Sequence, residues 1–135
     1  MKKRQGFTLL ELLIVVVILG VLALIAAPSL LNAADQARNA TVMANESAAA
    51  SSVTSRFALN SSDAASVIAD ALVTELNAET TNPINDANPA FAIAGTAPGS
   101  VVLTADDAND EIVITGYDKD GALLVTKTVK APASN

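Results

Sequence analysis

Neither cysteine nor histidine occurs anywhere in the 135 residues, and tryptophan is missing as well. With them go the usual general base, the thiolate nucleophile and the common zinc and haem ligands, so the chain is not expected to be an enzyme or to carry a cofactor. No disulfide can staple the fold. The aromatic residues are Phe7, Phe57, Phe91 and Tyr117, too sparse for a stacked electron-transfer path. Twenty-seven alanines inflate a hydrophobic fraction of 51 %, which leaves larger side chains for a thin core and sets one modest domain as the limit. Positive charge is scarce. Eight Lys and Arg oppose fourteen Asp and Glu, a formal net charge of −6, and an acidic surface disfavours direct binding of nucleic acid.

Two further gaps mark out the long elements. No Lys or Arg stands between Arg4 and Arg38, and no Gly or Pro between Pro28 and Pro83. Inside the first gap, residues 7–27 are almost wholly apolar, and a helix of that length, at about 1.5 Å per residue, matches a hydrocarbon core of about 30 Å. Lys2, Lys3 and Arg4 precede it, so the positive-inside bias puts this end in the cytoplasm and the remainder outside. Glu11 interrupts the run. A carboxylate in hydrocarbon costs roughly 2.5–3.5 kcal/mol and persists only with a partner or a function. A secretory signal cut within residues 21–26 shares the basic start, and a plain single-span anchor shares the length. Neither has a use for Glu11, and the anchor leaves Gly6 at the boundary unexplained.

The string Lys3-Arg4-Gln5-Gly6-Phe7-Thr8-Leu9-Leu10-Glu11, followed by an apolar stretch and Pro28, resembles the start of type IV pilins and of the related pseudopilins of type II secretion. The resemblance is close over residues 1–38 and covers the rest only in general layout. It implies a leader, residues 1–6, removed by a prepilin peptidase between Gly6 and Phe7, with N-methylation of Phe7. It implies that Glu11 pairs, on assembly, with the α-amino group of Phe7 in an adjacent copy. An inner-membrane assembly platform and an assembly ATPase are the further partners that it implies. Loss of Lys2, Lys3 and Arg4 takes the formal charge from −6 to −9 before the new amino group is counted. Many pilins close a C-terminal loop with a disulfide, which this chain cannot do.

Past Pro28 the sequence reads as a continuing helix to about residue 59, with Leu30, Ala34, Ala37, Val42, Ala49, Val53 and Phe57 on a weakly apolar stripe. Its first part is expected to be an intersubunit surface, and the part near Val53 and Phe57 to pack under a head formed by residues 60–135. Asn60 can end this helix, and Ser62 or Asp63 can cap a second over 64–77 whose apolar face is Val67, Ile68, Ala71, Leu72 and Leu76. Residues 79–99 read mostly as loop, with a short strand within 90–94. A meander of strands over 100–104, 111–117 and 122–130 follows, with Gly121 in a tight turn. In its last strand Leu123, Val125 and Val129 are expected to face the helix, alternating with Leu124, Thr126, Thr128 and Lys130.

Two smaller patterns carry alternatives. Asp106, Asp107, Asp110, Asp118 and Asp120 would suit calcium if the hairpins stack, but turn chemistry accounts for them without metal. Triplets starting at Asn39, Asn45 and Asn60 fit the N-glycosylation pattern and also arise by chance in an Asn- and Ser-rich chain. The expected fold is α+β, the pilin fold: a long N-terminal helix (7–59) packed on a small antiparallel sheet of three to four strands. The expected function is a structural subunit that polymerises into a surface filament for adhesion, motility or attachment. Gly20 and Pro28 would bracket a flexible segment of its helix. The alternatives are a pseudopilin and a monomeric membrane-anchored binding module.

Overall fold

The computed structural model describes residues 7–59 and 62–132, which fall into two compact units, Met1–Asp35 and Gln36–Asn135. Helix α1, Leu9–Leu59, runs through both. In the first unit its side chains from Leu9 to Ile25 are all exposed, although almost every one is apolar. This stretch is long and apolar enough to cross a membrane. The helix continues through Gly20 and Pro28 although Pro28 denies the Leu24 carbonyl its partner.

In the second unit α1 buries one face, whose positions 42, 46, 49, 53 and 57 recur at spacings of three and four. Val53 and Phe57 are buried under the head as expected, with Val42 and Ala49, and the earlier stripe residues Leu30, Ala34 and Ala37, on the part expected to face other subunits, lie exposed. Helix α2, Ala65–Glu79, buries Ala65, Ile68, Ala69 and Leu72, with Val73 and Leu76 partly covered. Val67 and Ala71, expected inside, face solvent. The small Ala65 and Ala69 take the buried positions beside Ile68 and Leu72 instead. Arg56 on α1 pairs with Glu75 on α2.

The sheet has four strands in the order β1-β2-β3-β4: β1 Phe91–Ala92, β2 Val101–Asp106, β3 Glu111–Tyr117 and β4 Leu123–Lys130. The meander β2-β3-β4 is antiparallel as its hairpin turns require, but β1 runs parallel to β2, so the sheet is mixed rather than antiparallel. The chain returns from β1 through residues 93–100 and enters β2 in the same direction. Fold class is α+β. Val101, Leu103, Ile112 and Ile114 join the helix residues around Phe57 and Phe91 in one core. Gly116 lies on that face where a Cβ would stand 2.9 Å from both Val42 Cγ1 and Val125 Cγ1, so its missing side chain lets α1 close on β3.

The register of β4 slips beside Gly116 and Tyr117: Gly116 opposes Val125 and Tyr117 opposes Leu123, leaving Leu124 unpaired in a bulge. One extra residue reverses the alternation. Leu123, expected to face the helix, is therefore 66 % exposed, and Leu124 packs against the core with Val129. Gly121, at φ 74, takes the left-handed turn position that the sequence assigns to it.

Candidate functional site

The first turn of α1 holds the residues that the sequence singles out. Thr8 precedes the helix, and Glu11 stands three positions on. The Thr8 N–H and the Thr8 hydroxyl both donate to Glu11 Oε2, at 3.0 and 2.9 Å, and the Glu11 N–H donates back to Thr8 Oγ1 at 3.2 Å. This is a reciprocal capping box. It satisfies amides that an apolar medium would leave bare, and it sets the carboxylate at the positive end of the helix dipole, worth about 0.3–1 kcal/mol. That offsets part of the roughly 2.5–3.5 kcal/mol cost of the charge and leaves a need for a cation. Phe7, 79 % exposed, sits directly before the cap. Gly6 and the rest of residues 1–6 lie outside the described residues. Thr8 was not singled out from the sequence, yet Thr8-Leu9-Leu10-Glu11 has the spacing that identifies the box.

The five aspartates do not gather. Asp106, Asp107 and Asp110 lie at one end of β3 and Asp118 and Asp120 at the other, because a meander puts successive turns at opposite ends of the strand they share. Among the described residues no group of three or more acidic side chains is placed to hold a metal ion. Each turn instead uses its own carboxylates. Asp106 Oδ1 accepts from the Ala108 and Asn109 N–H groups, and Oδ2 from the Asn109 side chain. The Asn109 side-chain bond, ahead of the backbone bonds, holds the Asp106 carboxyl below its ordinary pKa. Asp118 Oδ1 accepts from Asp120 and Ala122, and Asp120 pairs with Lys119. Asp110 takes a left-handed φ of 49°.

Asp107 reaches outside its turn. It accepts from the Ser66 N–H at 2.7 Å and the Ser66 hydroxyl at 2.8 Å, so the β2-β3 hairpin caps the start of α2. Ser62 and Asp63 do not serve as its cap, and the N-cap position falls on Ala64, which has no side-chain cap bond. The reason is topological, since the hairpin tip arrives where a local side chain would otherwise be needed. Asp107→Ala is expected to lower stability by about 0.5–2 kcal/mol, the range for losing a helix cap, read as a lower melting temperature with α2 amides exchanging first.

The glycosylation reading fares poorly on α1. Asn45 Nδ2, the atom that would carry a glycan, is buried, and so is Asn39 Oδ1; Asn60 and Ser61 lie outside the described residues. Beside these asparagines Glu46, only 4 % exposed, has a buried Oε1 with no hydrogen-bond partner, and no signal in the sequence marks it. An unsatisfied buried polar atom costs about 1–3 kcal/mol, and an apolar side chain of similar shape removes that cost. Glu46→Met is expected to raise the melting temperature of the chain.

A family model described as the prokaryotic N-terminal methylation motif matches residues 1–27. The chain carries that methylation motif. No curated protein and no solved structure matches it. That motif is the class III leader found in type IV pilins and pseudopilins. It covers the leader, Phe7, the capping box and the apolar run as one block. The motif and the apolar helix together fit membrane anchoring of a precursor.

Proposed function

We propose that the chain is the major subunit of a type IV pilus. The observation that carries this reading is the methylation motif set on a helix whose apolar first half is wholly unburied within its own subunit. Such a surface is stable in lipid before assembly and among identical helices afterwards, and the exchange between the two costs little. Cleavage falls between Gly6 and Phe7, methylation on the Phe7 nitrogen. Glu11 then leaves the membrane paired with the Phe7 amine of a neighbouring copy, on an inner-membrane platform driven by an assembly ATPase. The cell-surface filament serves attachment or motility.

Gly20 and Pro28 bracket a weak stretch of α1, since Gly costs about 1 kcal/mol relative to Ala in a helix interior and Pro28 removes a hydrogen bond. In lipid the helix holds, because each unpaired backbone group there costs several kcal/mol. Among neighbouring helices those groups find other partners. Electron microscopy of sheared surface material tests both points. Long filaments of this chain are expected, with non-helical density over residues 20–28 and helix on either side. Absence of filaments at native expression would favour the secretion pseudopilin. An unbroken helical rise would mean that Gly20 and Pro28 only bend the helix.

A further inference from the structure

Within the unit Gln36–Asn135, the loop that leaves α2 closes on itself, with Thr81 and Pro89 meeting in an isolated antiparallel bridge. Asn82 fills the space beneath and is 2 % exposed. Its carboxamide is fully engaged: Nδ2 donates to the carbonyls of Pro89 and Pro98, at 3.2 and 2.9 Å, and Oδ1 accepts from the Ile84 and Asn85 N–H groups, at 2.9 and 3.1 Å. Gly99 makes room for this hub, since a Cβ there would lie 2.4 Å from Asn82 Oδ1. Asn77 ties the same floor to β1 by bonding both the N–H and the carbonyl of Phe91. The backbone of the loop is thereby held from below.

A cleft of about 300 Å³ opens over this floor. Around it the side chains of Thr80, Thr81, Asp86 and Asn88 bond to no described residue, in contrast to the acidic hairpin turns, where carboxylates are spent on the local backbone. We propose that this cleft binds a single neutral sugar ring. Its volume is at the lower end of the range of about 300–1,000 Å³ for small-molecule sites, which admits one ring. Among the described residues no Lys or Arg lines it and Asp86 is its sole charge, so phosphate, sulfate and acidic sugars meet repulsion without compensation. Two hydroxyls, a carboxamide and a carboxylate supply donors and acceptors side by side, matching vicinal hydroxyls that both give and take hydrogen bonds. Ala87 and Pro89 offer an apolar wall for the ring's C–H face. The tethered floor keeps the ordering cost of binding small. The inference rests on the head alone and not on polymerisation.

The test is an NMR titration of the isotopically labelled full-length chain in detergent micelles with glucose, galactose, mannose and N-acetylglucosamine, using glucuronate and glucosamine as charged counterparts. At least one neutral sugar is expected to shift the Thr80, Thr81 and Asn88 amides with a millimolar Kd, while glucuronate does not. Asp86→Ala should weaken that response about tenfold, or about 1.4 kcal/mol, with the rest of the spectrum unchanged. Binding of the methyl glycoside as well as the free sugar identifies a ring at the end of a glycan; binding of the free sugar alone identifies a soluble monosaccharide. Silence of these amides toward all neutral sugars, a stronger response to glucosamine than to any of them, or binding that survives Asp86→Ala combined with Asn88→Ala would overturn the proposal.

Discussion

Glu11→Gln is expected to insert into the membrane at least as well as the native chain and yet to yield almost no filament. Removing the charge removes a cost of roughly 2.5–3.5 kcal/mol in hydrocarbon, so membrane levels should not fall. The amide oxygen of Gln still accepts from Thr8, which preserves the capping box and with it the start of α1. What is lost is the anion that the proposed pairing offers to the Phe7 amine of a neighbouring copy. A hydrogen bond to a charged group contributes about 1.5–3 kcal/mol, equal to about a ten- to hundredfold weakening of each subunit contact. Glu11→Ala loses the cap as well as the charge. The two variants therefore separate the roles: failure of both points to the ion pair, whereas failure of the alanine variant alone points to the cap. Membrane-fraction levels compared with sheared filament yield read the difference, and native yield from both would refute a role for Glu11 in assembly.

Gly6→Leu is expected to leave a precursor that keeps all six leader residues and forms no filament. If cleavage falls after Gly6 as proposed, a side chain there obstructs close approach of the peptidase to the backbone, which glycine permits. Retaining the leader also retains Lys2, Lys3 and Arg4. Each cation costs about 2.5–3.5 kcal/mol at the centre of an apolar helix layer, so an uncut subunit cannot join a bundle of identical helices as a cut one does. Intact-mass and N-terminal analysis decide the outcome. The native chain should begin at a methylated Phe7, and a terminus within residues 21–27 would establish an ordinary secretory signal in its place.

Much of this was legible in one dimension because its causes are local. The apolar run, Glu11, the basic leader and Gly6 lie within eleven consecutive positions or in direct succession to them, and transfer free energies add along a helix without reference to any distant contact. The same holds for the β2-β3-β4 meander, whose strands are rich in Val, Ile, Leu and Thr and whose turns are marked by Asp, Asn and Gly. Thr8 is legible in the same way, since the capping spacing is plain once the helix start is known.

Composition, the methylation motif, the long apolar helix and the fold class were settled by the sequence itself, through hydrophobic length, charge asymmetry and hydrophobic period. Only the tertiary structure decided the parallel pairing of β1, the bulge that turns Leu123 outward, the hand-over of the α2 cap to Asp107, the buried Glu46 and the cleft above Asn82. The cap and the burial of Glu46 depend on residues far apart in sequence arriving together, Ser66 and Asp107 across 41 positions, for example. Pairwise contacts of that span leave no period in the chain and are chosen by how the whole head packs.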